Sequence, residues 1–225
     1  MPEDIIRDVQ VSQKTYEDGT YKATGTDHLV LSEEETNQLV DNVRKVVAEG
    51  EISQHFRDIM LKYPEYRDID LVNGEEVIRL YRAVPSQWED APTSPVFCYR
   101  PRERSDRENK EWGIHKLKQY LGFLREAKIG EEKFLKDILG GHLIDSIKSP
   151  FIPASISRQY VEGIYSGKGT KVIEMQVPLK YTFPLTIAKE EWLWGPTDDN
   201  FKKEQEVCIA GRVEPEWIVS VDEKT

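Results

Sequence analysis

Cysteine and histidine are both scarce in this chain of 225 residues, which contains 2 cysteines and 4 histidines. Cys98 and Cys208 stand far apart, which excludes a scaffold of several disulfides. A single disulfide remains compatible with the sequence, but we expect two reduced thiols. The histidines are spread along the chain as His28, His55, His115 and His142. They lack the spacing of metal ligands, so we expect no metal site.

Long apolar runs are missing as well, since no stretch approaches the ~20 residues that a membrane-spanning helix needs. The first ten residues, MPEDIIRDVQ, are acidic and mixed, and they lack the basic-then-apolar order of a secretory signal. We expect a soluble protein that is cytoplasmic as synthesised and has no membrane span. Delivery into a target cell without a cleaved signal peptide remains open.

Basic character and two common catalytic motifs are also lacking. The formal net charge is −10, which argues against a dedicated binder of nucleic-acid backbones, because such binding depends on clustered Lys and Arg. The stretch GIYSGKGTK over 163–171 fails the spacing of a phosphate-binding loop, and no G-x-S-x-G elbow is present. These two enzyme classes therefore have no support.

The chain does contain a helical first half and a strand-rich second half. Residues 1–28 suggest a loosely ordered arm or a short hairpin. Apolar residues at helical spacing predict helices over 31–51, 52–66, 112–129, 131–147 and 158–167. β-Branched and alternating residues predict strands over 75–85, 149–157, 170–179, 182–188, 205–213 and 216–222. This segregation favours an α+β fold with an arm and helical lobe (1–74) before a core (75–225), within one compact domain.

Three separated segments carry the functional pattern. They are an arginine at the end of a strand, a strand that runs into a serine-containing turn, and a Glu-x-Glu pair that leads into an apolar strand: LYRAVP (80–85), SPFIPASIS (149–157) and EQEVCIAGRV (204–213). Each segment is common by itself. In this order and spacing they resemble the Arg–Ser–Glu class of mono-ADP-ribosyltransferases, which includes clostridial binary toxins and vertebrate ectoenzymes.

The resemblance covers about residues 77–222 and implies NAD⁺ as co-substrate. It also implies an ADP-ribosyltransferase-like split β-sandwich core, with an N-terminal helical lobe and paired last strands. The interval between the first two segments is long for the family. It is expected to hold an inserted helical element that covers the NAD⁺ site or recognises the target.

The resemblance assigns a role to each matched residue. Arg82 would bind the pyrophosphate of NAD⁺ through its planar fork of donors, whereas Arg79 faces the other side of the strand. Glu206 would stabilise the positive charge that develops on the ribose. Ser155 would hydrogen-bond that glutamate. The turn has Pro-Ala-Ser where the family has Ser-Thr-Ser, so Ser157 takes this place if the register is shifted by two.

The residue two positions before Glu206 is related to which acceptor side chain is modified. Glu204 is expected on the same side of the strand as Glu206, and a Glu-x-Glu pair in the family implies modification of arginine side chains. The loop expected over 189–203 would contact the target.

Four aromatic residues are further candidates. Trp192 or Trp194 would touch the acceptor, with burial in the core as an equally supported alternative. Tyr160 or Tyr165 follows the serine turn, where the family stacks an aromatic ring on nicotinamide.

The function implied is transfer of ADP-ribose from NAD⁺ to a protein side chain, arginine by preference, as a toxin or effector. NAD⁺ hydrolysis or modification of a nucleic acid would use the same site. A catalytically inactive relative that only binds a partner is the alternative of another class. The implied partners are NAD⁺ and an acceptor macromolecule, and a cognate inhibitor or activator protein stays open.

Overall fold

The computed structural model describes residues 14–17, 20–23, 33–85, 131–132, 135–136, 151–164, 170–193 and 199–223. Its strands are β1 (Lys14–Glu17), β2 (Thr20–Ala23), β3 (Ile69–Val72), β4 (Glu75–Pro85), β5 (Phe151–Ser155), β6 (Thr170–Pro178), β7 (Thr182–Phe183), β8 (Glu206–Ala210) and β9 (Ile218–Glu223). Its α-helices are α1 (Glu33–Glu49), α2 (Glu51–Met60), α3 (Arg158–Ile164), α4 (Leu185–Ala188) and α5 (Asp199–Glu204). A π-helical turn, Lys189–Leu193, continues α4 directly.

Seven strands form one antiparallel sheet in the order β7-β8-β5-β4-β6-β9, with β3 paired to the first half of β4. β1 and β2 form a separate two-stranded hairpin, one of the two forms expected for the first residues. The predicted α+β class is confirmed. In the described part of the chain, no helix is long and apolar enough to cross a membrane.

The sheet parts into two halves between β4 and β5. β4 pairs with β6 over Val77–Pro85, and β5 pairs with β8 along its whole length. Between β4 and β5 a single residue pair, Tyr81 opposite Ser155, joins the strands. This line, the seam, separates β7-β8-β5 from β3-β4-β6-β9, and the candidate residues Arg82 and Ser155 lie on the two strands beside it.

Helices and strands bury their apolar side chains in one core. Val40, Val43 and Val47 recur at helical spacing on one face of α1, and all three are fully buried in the cluster that the strands also line. α1 is held to the end of β8 by Arg44, which donates to the Arg212 carbonyl at 2.9 Å. The lobe and the sheet are thus packed together rather than loosely joined.

The sequence predicted several strands and helices correctly, but the prediction for the segment after β7 is wrong. The expected strand 182–188 continues only to Phe183, after which Leu185–Ala188 form a helix. All four residues of α4 are buried, so burial does not alternate along the run and the pattern does not separate strand from helix. The prediction of a loop over 189–203 is also wrong in part, because these residues include the π-helical turn and most of α5.

Other differences are smaller. The helix expected over 52–66 ends at Met60, and a 3₁₀ turn follows at Pro64–Tyr66. β3 was missed, although Asn73-Gly74, both with positive φ, provides the usual signal of a two-residue hairpin turn. β8 and β9 do not pair with each other as expected, since β8 lies between β5 and β7 while β9 lies at the edge beside β6. Predictions over 86–130 and 137–150 lie outside the described residues.

Candidate functional site

The three motif segments fall on neighbouring strands at the seam. In the strand register, Tyr81 lies opposite Ser155, and Ser155 lies opposite Glu206. Neighbouring strands are about 4.8 Å apart, so the backbones of Tyr81 and Glu206 are about 10 Å apart across β5. Arg82 is the next residue of β4. Positions separated by more than 120 residues of chain therefore meet in one row of the sheet.

Arg82 is half-buried and crosses the seam. Its Nη1 donates to the Pro153 carbonyl of β5 at 2.8 Å. Arg79 faces the other side of β4, where its guanidinium lies 3.2 Å from the Asp70 carboxylate and 3.4 Å from that of Glu174. The expectation that the two arginines face opposite sides is confirmed. Alternation also puts Arg82 on the face opposite to Ser155, but its long side chain reaches back across the parted strands to β5.

Ser155 is 4% exposed and holds the turn rather than the carboxylate. Its hydroxyl donates to the Glu204 carbonyl at 2.6 Å and accepts from the Ser157 amide at 2.9 Å. A hydroxyl has one proton, so the bond expected from Ser155 to the Glu206 carboxylate is replaced by one to the backbone. Ser157 accepts from the Tyr160 amide at 3.2 Å and caps α3. Ser155 is thus the serine at the seam, opposite Glu206.

Glu206 is the first residue of β8 and is 7% exposed. Its amide donates to the Thr186 hydroxyl at 2.8 Å. Glu204 is the last residue of α5 and not part of the strand, and Gln205 between them has a φ of 45°. The expectation that Glu204 and Glu206 share a strand face is therefore wrong, because the chain changes direction at Gln205. A left-handed turn, not alternation, sets their relative position.

The two carboxylates are nevertheless close enough to act on each other. The pKa of Glu204 is raised to about 7, first by burial and then by the charge of Glu206, while the charge of Lys189 acts in the opposite direction. Lys189 lies in the π-helical turn and is 6% exposed. Glu204 therefore exchanges its proton near neutral pH, where an ordinary glutamate is fully ionised.

Cys208, buried on β8, lies within reach of both carboxylates and of the arginine. Burial raises the pKa of its thiol, the charges of Glu206 and Glu204 raise it further, and Arg82 opposes them. A single buried sulfur thus experiences all three charges.

A tyrosine of the helical lobe, Tyr66, is also affected by the charge of Glu206. Tyr66, buried at the end of the 3₁₀ turn after α2, has its pKa raised first by burial and then by the charges of Glu65, Glu190, Tyr63 and Glu206. No pattern in the sequence singled out Tyr66, because an isolated tyrosine after a proline has many structural uses.

Of the four aromatic candidates, two belong to the described residues. Tyr160 is half-buried in the first turn of α3, directly after the serine turn. Trp192 belongs to the π-helical turn. Tyr165 and Trp194 lie outside the described residues. Within the described residues, no group of three or more His, Cys, Asp or Glu side chains is arranged to hold a metal ion.

Comparison with protein-family models, with curated proteins and with solved structures gives no match. A fixed guanidinium suits an anionic group, a buried carboxylate suits a developing positive charge, and a carboxyl group that titrates near pH 7 suits proton transfer.

Proposed function

We propose that the chain is a mono-ADP-ribosyltransferase with a split β-sandwich core, which transfers ADP-ribose from NAD⁺ to an acceptor side chain. The observation that supports this most is the row across the seam. Tyr81, Ser155 and Glu206 lie opposite one another on β4, β5 and β8. Arg82, next to Tyr81, donates across the seam to the Pro153 carbonyl of β5 at 2.8 Å.

The charges at the seam suit NAD⁺ in the order that the reaction needs. The anionic pyrophosphate would lie at Arg82, whose planar fork makes paired hydrogen bonds with phosphate oxygens. The bond between nicotinamide and ribose would break beside Glu206, with its electron pair leaving on nicotinamide. The carboxylate stabilises the positive charge on the ribose because it is fixed in place before the charge forms.

The acceptor that we propose is an arginine side chain. A guanidinium nitrogen forms the new bond to the ribose carbon and must lose a proton, which Glu204 accepts. A base is most effective when its pKa lies near the working pH, and the Glu204 pKa of about 7 meets this condition. Water in place of the acceptor would give NAD⁺ hydrolysis.

The test uses the purified chain with labelled NAD⁺ and agmatine, a small guanidinium acceptor. We expect labelled agmatine and released nicotinamide, and an about 100-fold or larger loss of both for Glu206→Gln, as for removal of one preorganised charge-stabilising group. Glu216→Gln, at an exposed position outside the site, is the matched control and should keep full activity. Absence of any NAD⁺ turnover by the unaltered chain would refute the proposal.

Glu204→Gln separates transfer from hydrolysis. The amide cannot accept the guanidinium proton, so agmatine labelling should fall to background while nicotinamide release in buffer stays within about threefold. Equal loss of the two activities would contradict the proposed role of Glu204. Label on nucleic acid in a cell lysate, with none on protein or agmatine, would replace arginine as the acceptor.

A further inference from the structure

The helical segment that begins at α4 contains two buried polar residues, and one of them contacts the first residue of β8. Thr186 and Lys189 are 5% and 6% exposed, although a threonine and a lysine in a helix are usually turned to solvent. They are three residues apart, and residues at this spacing lie on the same face of a helix. This face runs beside the start of β8, where Glu206 lies.

Thr186 holds Glu206 through the backbone. Its hydroxyl oxygen lies 2.8 Å from the Glu206 amide nitrogen, and both residues are buried. The preceding residue, Gln205, has a φ of 45°, so the hydrogen bond fixes the first position after a sharp change of chain direction. The contact therefore fixes the backbone position from which the Glu206 side chain extends.

Lys189 is buried in the π-helical turn that follows α4. This turn is joined to α5, the helix that ends at Glu204, because Glu190 pairs with Lys202 at 3.6 Å. The charge of Lys189 opposes both the effect of burial on Glu204 and the repulsion from Glu206. Within the described residues, Lys202 and Lys203 lie on the same helix as Glu204 and are exposed. Two further charged side chains belong to α3, which packs against α5, and they pair with each other at 2.9 Å: Arg158 and Glu162.

We propose that Thr186 and Lys189 are positioning residues for the carboxylate pair. Thr186 holds Glu206 at the ribose, and Lys189 provides a buried positive charge for Glu204. The inference rests on the proposed function and adds the device that orients its two carboxylates. A helix that follows a short edge strand thereby acts on the first residue of β8 and on the last residue of α5.

The first experiment compares two buried threonines. Thr186→Val replaces the hydroxyl by a methyl group of similar size, and we expect kcat for NAD⁺ hydrolysis to fall about tenfold or more, since small displacements in an active site have effects of this size. KM for NAD⁺ should stay within about twofold. Thr186→Ser restores the acceptor and should recover most of kcat.

Thr182→Val is the matched control. Thr182 is fully buried, and its hydroxyl donates to the Leu179 carbonyl at 2.7 Å, away from the carboxylates. It should lower Tm as much as Thr186→Val does while kcat stays within about twofold. Unchanged kcat in Thr186→Val, or an equal loss of kcat in the two valine variants, would overturn the role of Thr186.

The second experiment follows the pH dependence of agmatine modification. Lys189→Met removes the positive charge, and we expect the acid limb of the profile to move upward by about one pH unit, because the loss of a nearby opposite charge favours the protonated carboxyl. Lys189→Arg should keep the limb in place. Lys180→Met removes an exposed lysine that pairs with Glu75 and should also leave it unchanged. An unmoved limb in Lys189→Met would overturn the role of Lys189.

Two measurements on the same variants do not depend on turnover. Carbon NMR of the Glu204 carboxyl should give a higher titration midpoint in Lys189→Met, and the Glu206 amide should exchange faster in Thr186→Val. If the unaltered chain turns over no NAD⁺, the proposed function fails, and these measurements still decide whether the two contacts act on the pair. If turnover is normal but neither variant changes kinetics, titration or exchange, only the further inference fails.

Discussion

The ionisation of Glu204 links the candidate site to the stability of the fold. Its pKa is raised from an ordinary 4.5 to about 7, first by burial. Between these values the folded chain holds a proton that the unfolded chain has released, so stability falls as pH rises through this window, and the loss is complete above about pH 7. The site therefore keeps a carboxyl group that disfavours folding at the pH where it would act as a base.

Glu204→Gln tests this linkage. The amide has no charge to lose, so the difference in Tm between the variant and the unaltered chain should increase in favour of the variant from pH 5 to pH 8. Differential scanning calorimetry at the two pH values measures it. The same difference at both values would show that Glu204 titrates as an ordinary exposed glutamate.

The substitution Arg82→Lys tests the proposed binding of the NAD⁺ pyrophosphate. Arg82→Lys keeps the positive charge and removes the planar fork, so KM for NAD⁺ should rise about tenfold, with a smaller change in kcat. Arg79→Lys, three residues away on the opposite face, is the matched control and should leave KM within about twofold. Steady-state kinetics of nicotinamide release give both values, and an equal rise in the two variants would refute the assignment.

Among individual residues, the sequence pointed to some members of the candidate site and not to others. Arg82, Ser155 and Glu206 could be chosen because their type, order and flanking strands form a pattern. Thr186, Lys189 and Tyr66 could not, because their importance comes from burial against residues distant in the chain. The hydrogen bond of Ser155 was also assigned to the wrong partner, since a serine side chain can reach several acceptors in a turn.

Among the elements, α1 depends on a glycine at the end of β8. Gly211 has a φ of 78°, and an added Cβ would lie 2.8 Å from Cγ1 of Val40. Gly211→Ala should therefore lower the free energy of unfolding by about 1–3 kcal/mol, through both backbone strain and overpacking. Urea denaturation measures this loss.

Gly163→Ala provides the comparison for that variant. Nothing lies within 4 Å of a Cβ added at Gly163, which is in α3, so the change should be neutral or stabilise by up to about 1 kcal/mol. If both alanine variants lose the same stability, close packing of α1 on Gly211 is not the cause.

The elements show where local pattern is sufficient. β4 and β6 pair over most of their length, and their alternating and β-branched sequences predicted both strands. The pattern failed at Leu185–Ala188, because a helix buried on all sides and a buried strand have the same apolar composition. It also failed at Glu204, because the left-handed residue Gln205 precedes β8 and the strand begins only at Glu206.

For the whole molecule, the chain between β4 and β5 is tied to the helical lobe. The Glu131 carboxylate accepts from the Ser53 amide at 2.8 Å, the Ser53 hydroxyl at 3.1 Å and the Ile52 amide at 3.1 Å, at the N-terminus of α2. The helix is preceded by Gly50, which has no side chain to cap it. A carboxylate from a distant segment takes that role, and Leu135, one turn on, is fully buried in the core.

Glu131→Gln tests this connection. The loss of a charged cap should reduce stability by about 0.5–2 kcal/mol and speed hydrogen exchange at the Ile52 and Ser53 amides. Glu132→Gln is the matched control, because Glu132 is exposed and pairs with Lys136 at 2.6 Å, an interaction of little net value. Equal exchange in the two variants would mean that Glu131 does not cap α2.

Short-range chemistry along the chain was enough to find the α+β class, most strands and the three segments of the proposed site, because alternation, turn residues and residue type are local properties. The parting of the sheet, the helix after β7 and the partners of Ser155 and Glu206 were decided only by tertiary structure. They depend on which strand lies beside which, and on which polar groups are buried together. Those are contacts between residues far apart in the chain, and no local pattern encodes them.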